Sequence, residues 1–173
     1  MALRVVVMGV CGCGKSTVGA LLASKVGGAF LDADNLHPES NVAKMSAGIP
    51  LTDPDREPWL REVGKRLGSS NEPIVIACSA LKRAYRDLIR DAAPDTYFLH
   101  LRGERQLLAE RMAARPGHFM PTSLLDSQLA TLEDLDGDER GMVLDIRELP
   151  DSLAAQAAAS LEPQRSSRTS ARS

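Results

Sequence analysis

The octapeptide GVCGCGKS, residues 9–16, limits what this chain can fold into more than any other feature of its sequence. It fits the spacing G-x-x-x-x-G-K-[ST], with Gly9, Gly14, Lys15 and Ser16 at the fixed places. Before it runs LRVVVM (Leu3 to Met8), β-branched and without alternation, which suits a parallel strand buried on both faces. After it, Val18, Leu21, Leu22 and Val26 recur at helical spacing until Gly27-Gly28 stops the helix. Strand, glycine turn and helix in that order cradle phosphate. The glycines let the backbone curl so that several N–H groups point inward, and the helix N-terminus adds partial positive charge. The sequence therefore predicts that Gly9, Val10, Cys11, Gly12, Cys13, Gly14, Lys15, Ser16 and Thr17 surround a nucleoside triphosphate. Lys15 reaches the β- and γ-phosphates, and the Ser16 hydroxyl joins the shell of Mg2+. The C-x-C pair Cys11 and Cys13 would need distant histidines to complete a four-ligand zinc site, because no second cysteine pair follows; we read both as small loop-filling residues.

The rest of the chain continues the same alternation. Strands are expected at Ala29 to Leu31, Pro73 to Cys78, Thr96 to Leu101 and Met142 to Ile146. Helices are expected over Pro38 to Ala47, from Asp53 to Arg56 onward with Trp59, Leu60, Val63 and Leu67 on one side, and over Leu81 to Arg90, Glu104 to Arg115, Thr122 to Leu132 and Ser152 to Leu161. Five strands alternating with helices predict an α/β fold, a five-stranded parallel sheet covered on both faces, with ligands gathered at the carboxyl ends of the strands. At 173 residues the chain fits one domain, 1–161, with a short lid at about 115–125. The last stretch, EPQRSSRTSARS (162–173), has no large apolar residue and reads as a disordered tail. A net charge of -2 argues against nucleic acid, and the opening MALRVVVMGV is apolar for too few residues to enter a membrane. Three cysteines, an odd set, support no disulfide framework and point to a reducing, cytoplasmic address.

Transfer chemistry can be read beyond binding. The Asn-Lys-x-Asp motif that reads guanine is absent, which favours a kinase-like use of ATP. Phosphoryl transfer needs positioning and positive charge around the migrating group. Arg111 and Arg115, four apart on one helix and just before Pro116-Gly117, either supply that charge from the lid or form a solvated arginine face. Asp32 and Asp34 follow the second strand. Asp32 is the candidate for a magnesium-bound water and Asp34 the candidate general base, with capping of the following turn as the alternative for either.

The stretch Asp32 to Leu60, DADNLHPESNVAKMSAGIPLTDPDREPWL, resembles the gluconokinase signature, in which D-x-D, L-H-P, N-x-x-K-M, G-x-P-L and D-x-D-R-x-P-W-L occur in order. Cys78 to Arg90 (CSALKRAYRDLIR) is similar to that family's next segment, and Arg115 to Glu133 to its lid region, with G-H-F and L-L-x-S-Q. Leu129 and Leu135 stand where the family usually has Phe and Pro. The resemblance covers Val5 to about Ile146. It implies a small P-loop kinase fold like that of shikimate and nucleoside monophosphate kinases, ATP-dependent conversion of D-gluconate to 6-phosphogluconate, and a homodimer. A pocket for an anionic polyhydroxy acid should combine cations for the carboxylate with hydrogen-bonding groups for the hydroxyls. Lys82, Arg83 and Arg86 are candidates for the first role, though Lys82 and Arg86 fit a solvated cationic stripe as well. Asp34 and His37 are candidates for the second. His118 either enters the closed lid or packs, and His100, inside an apolar strand, reads as a satisfied core histidine rather than a catalyst. The competing readings are a kinase for another small carboxylate, as in shikimate kinases, and a non-catalytic sensor of ATP and a sugar acid.

Overall fold

A computed structural model describes residues 2–114 and 122–169, the side chains of 163–169 excepted. Residues 115–121, which include Arg115 and His118 of the expected lid, lie outside the described residues.

Five strands form one parallel sheet: β1 (Arg4–Met8), β2 (Ala29–Asp32), β3 (Ile74–Ala77), β4 (Tyr97–Arg102) and β5 (Gly141–Asp145), in the order β2-β3-β1-β4-β5. The helices are α1 (Lys15–Val26), α2 (Glu39–Ser46), α3 (Asp53–Ser69), α4 (Arg83–Ala92), α5 (Arg105–Ala113), α6 (Thr122–Thr131) and α7 (Pro150–Thr169), with a 3-10 turn at Ala33–Leu36. Alternation along β1 divides its side chains between two cores. Val5 and Val7 pack with Leu22 and Val26 of α1 and Leu153 and Ala157 of α7, whereas Val6 and Met8 pack with Leu60, Val63 and Leu67 of α3 and Ile89 of α4. All four β1 residues from Val5 to Met8 are fully buried, as a central parallel strand requires.

Because β1 lies in the middle, its carboxyl end opens into the glycine loop with β3 on one side and β4 on the other. Val7, Ala77 and Asp32 occupy one row across β1, β3 and β2, so Asp32 leaves the sheet level with the start of that loop. This is the edge at which open α/β sheets bind ligands. Helix α3 is secured at its start by a reciprocal cap. The Thr52 hydroxyl accepts from the Asp55 amide while the Asp55 carboxylate accepts from the Thr52 amide. Its indole then ties the helix to the site, since Trp59 Nε1 donates to the Ala33 carbonyl at 2.7 Å.

One expectation needs correction. Helix α7 continues past Leu161 to Thr169, so 162–169 is helical where the composition suggested a structureless tail. Extending an existing helix is far less costly than nucleating one, and the segment from Pro150 onward is already anchored through Leu153, Ala154, Ala157 and Leu161. Residues 170–173 lie outside the described residues.

Candidate active site

The glycine loop owes its shape to positions that side chains would block. Gly12 has φ +83°, and a Cβ there would stand 2.9 Å from both the Leu108 carbonyl oxygen and Met112 Cγ, so the loop lies against α5 with no room to spare. Gly14, also left-handed, precedes the first turn of α1. A Gly12→Ala substitution is expected to force the loop off α5 and weaken ATP binding by more than about tenfold. Titration calorimetry against ATP checks this, and unchanged affinity would remove the loop geometry from the account.

At the floor of the loop is a cavity of about 260 Å³, walled by Cys11, Gly12, Gly14, Lys15 and Ser16 on one side and by Asp32, Asp34, Cys78 and Ser79 on the other. Met112 and Gln128 close it from α5 and α6. Lys15 Nζ donates to the Val10 carbonyl at 3.1 Å, holding the ammonium along the loop. The Ser16 hydroxyl donates to Asp32 Oδ2 at 2.9 Å, and the other Asp32 oxygen accepts from the Asp34 amide at 3.0 Å. This hydroxyl and carboxylate form an oxygen donor pair beside the phosphate loop, the chemistry that Mg2+ prefers when phosphates and water complete its shell.

The Asp34 carboxyl is pushed up from the ordinary range, chiefly by burial and then by the neighbouring Asp32 charge, against the opposing pull of His37 and Lys15. A carboxylate in that setting is a stronger proton acceptor than one in water. Neither Cys11 nor Cys78 is activated. Burial raises the Cys11 thiol and pushes Cys78 up to about 12.

Around the cavity the other candidates separate. His37 stacks on Trp59, ring centroids 4.1 Å apart and planes 15° apart, and caps the 3-10 turn that carries Asp34. Lys82 meets Asp53 at 3.4 Å and lies over the Tyr85 ring, and Arg56 of α3 approaches the same ring. Arg83 is engaged elsewhere, with Asp87 at 3.1 Å, Asp136 at 2.9 Å and Asp138 at 2.8 Å. Arg86 corrects the expectation most clearly. It is fully buried, pairs with the equally buried Glu139 at 2.7 Å and donates to the Ala80 carbonyl at 2.9 Å. Helical spacing aligned it with Lys82, but its side of α4 faces the core, where Glu139 awaits it. The guanidinium therefore clamps the β3–α4 connection, and the Arg83 and Arg86 charges are both consumed within the protein.

Arg111 does not join Lys15 in the cavity wall. It donates to the Ile146 carbonyl and ties α5 to the connection after β5. His100 is buried in β4, as expected of a core histidine, but it is not a satisfied one: its Nδ1 has no hydrogen-bond partner among the described residues. Of the wall residues, Ala77, Cys78, Ser79, Met112 and Gln128 carry no site role in the sequence-based expectations, and two of them fix the loop. Gln128 Oε1 accepts from the Cys11 amide at 2.7 Å, pinning the loop to α6 across 117 positions, and Ser79 accepts from the Gly9 amide through its carbonyl at 3.3 Å. The L-L-x-S-Q pattern ending in Gln128 was the available signal for the first.

Comparison with known proteins sets this geometry among relatives. The shikimate kinase family matches residues 11–135. A gluconokinase of Gluconobacter oxydans is 47% identical over 141 residues, covering 80% of this chain and 79% of its own. A probable gluconokinase of Xenopus tropicalis is 44% identical over 160 residues, 82% of this chain and 84% of its own. The crystal structure of a gluconokinase from Sinorhizobium meliloti superposes with a TM-score of 0.87 at 47% identity, covering 99% of this chain and 98% of that one.

Proposed function

This chain belongs to the gluconokinase family, a branch of the shikimate-kinase-like P-loop kinases, and from that premise we propose that it phosphorylates D-gluconate with ATP at the terminal hydroxyl, yielding 6-phosphogluconate and ADP. The observation that carries the reading is the meeting, in one cavity, of the loop lysine with the Asp32 and Asp34 carboxylates.

In this reading the loop amides hold the phosphate tail and Lys15 follows the γ-phosphoryl group as negative charge shifts toward ADP. Asp34 accepts the proton of the terminal hydroxyl as that oxygen bonds to phosphorus and the β–γ bridging bond breaks. Ser16 and Asp32 would hold Mg2+, which when bound neutralises charge on the β- and γ-phosphates. Lys82, with Arg56 beside it, supplies positive charge for the substrate carboxylate. Arg111, at the end of α5, and Arg115 and His118, which lie outside the described residues, belong to the same reading as groups that meet the nucleotide or the acceptor. The protein acts as a cytoplasmic homodimer. Its three cysteines are all free, and among the described residues no helix is long and apolar enough to cross a membrane.

An acceptor panel tests the reading. Purified protein should consume ATP with gluconate and far less with shikimate, glucose or nucleoside monophosphates, and equal rates across the panel would reject it. ATP turnover unchanged by gluconate would favour the sensor instead. Asp34→Asn should lower kcat about a hundredfold or more while ATP affinity stays near that of the parent; calorimetry and steady-state rates together check this. Since Asp34 must be ionised to work and its carboxyl lies above the ordinary range, kcat should fall on the acid side at a higher pH than a free aspartate would give.

A further inference from the structure

Asn41 takes no part in the chemistry above, yet it is buried to 2% exposure between α2 and α3. Its surroundings define which way its amide points. The Asp55 carbonyl oxygen can only accept, so the Asn41 atom 2.9 Å from it is the nitrogen Nδ2. The same nitrogen lies 3.2 Å from His37 Nδ1. With one amide hydrogen directed to Asp55 and the other to His37, Nδ1 must accept, and the single proton of a neutral imidazole then sits on Nε2. Asp55 is itself fixed by the Thr52 cap and by Lys44 at 2.8 Å. The chain Lys44–Asp55–Asn41–His37 thus orients one ring nitrogen, while Trp59 holds the ring flat.

We propose that Asn41 is a positioning residue for the transfer reaction: it holds His37 as the Nε2–H tautomer, a neutral donor that hydrogen-bonds a hydroxyl oxygen of the sugar acid next to the one handled by Asp34. The proposal rests on the gluconate reading and refines it. Adjacent hydroxyls each offer a donor and an acceptor, and an acceptor (Asp34) beside a fixed donor (His37) is the complement of such a pair. An acid lacking the second hydroxyl would leave that donor unpaired, which is how a site rejects deoxy analogues. The charged groups facing His37 are Asp34, on the turn that His37 caps, and Arg56 on α3. Burial favours the neutral ring, Arg56 acts in the same direction and Asp34 opposes them.

The test reads the tautomer directly. Long-range proton–nitrogen correlation on protein labelled at histidine, with His37 assigned through His37→Gln, should give Nε2–H and an unprotonated Nδ1 near neutral pH. A wild-type Nδ1–H form or an imidazolium overturns the proposal. In Asn41→Asp the new carboxylate accepts from Nδ1–H. The ring should change tautomer or protonate, and KM for gluconate should rise about tenfold while KM for ATP stays within about twofold. An unchanged gluconate KM in the folded variant overturns the proposal. Should Asn41→Asp fail to fold, His37→Gln and His37→Leu decide, because the glutamine amide can donate from the Nε2 position. Gluconate affinity is expected to be better kept in the Gln variant, and equal losses count against the proposal. If the wild type does not turn gluconate over at all, the functional reading fails by itself, and the nitrogen shifts alone decide whether Asn41 orients the ring.

Discussion

Lys15→Ala is expected to lower kcat about a thousandfold or more, with a smaller loss in ATP affinity. The ammonium lies in the wall of the cavity that the loop encloses and is held there by the Val10 carbonyl, so it is poised along the path of the phosphates rather than on the surface. Loop amides still bind the phosphate tail in the variant, which is why binding should survive better than turnover. What disappears is charge that matters most when the γ-phosphoryl group is in transit. Lys15→Arg keeps the charge but enlarges and flattens the head group, and it should recover only part of the rate. A fall of less than about tenfold in Lys15→Ala would mean that the ammonium does not meet the transferring group.

The second large effect concerns stability. Removing Glu139, as in Glu139→Ala, should cost about 3–5 kcal/mol, because it deprives the fully buried Arg86 guanidinium of its carboxylate and removes one of the two carboxylate partners of Arg90, at 2.7 Å. Replacing Arg86 and Glu139 together with Met and Leu should recover most of that loss, since the cost lies in the unpaired buried charge. Burial by itself would raise the Glu139 carboxyl, but the bonds from Arg86, the Asp136 amide and Arg90 hold it at about 2. Its folded-state pKa therefore lies below the unfolded value of about 4.3. The stability it contributes is present above the unfolded pKa and disappears as pH falls through that window toward 2. Urea unfolding over an acid pH series should show this loss in the wild type and a shallower one in Glu139→Gln. Identical acid profiles would show that the pair is not coupled to folding.

The parts of this molecule that were legible in its sequence are those encoded locally. The LRVVVM run, the loop that follows it and the spacing of Val18, Leu22 and Val26 describe a strand, a phosphate cradle and a helix without reference to anything distant. The same holds for Asp32 and Asp34, because strand ends are short-range features, and for the helix that buries Trp59, Leu60, Val63 and Leu67. What the sequence hid are partners brought together from far apart. Arg86 and Lys82 share a helical spacing, but only the arrival of Glu139, 53 positions later, makes Arg86 a core residue. Gln128 reaches the Cys11 amide in the same way, from α6. Asn41 looked like one element of a motif. Its role became visible only when the Asp55 carbonyl, which can do nothing but accept, showed which amide atom faces His37.

In the proposed reaction Asp34 aims the terminal alcohol of gluconate at a γ-phosphoryl group held by the glycine loop. The most direct measurement is phosphorus and carbon NMR of the product formed from ATP and uniformly carbon-labelled gluconate. A single phosphomonoester, formed in equal amount with ADP and coupled to carbon 6, is expected. Phosphate attached at another carbon, or ADP released with no phosphorylated sugar acid, would contradict it.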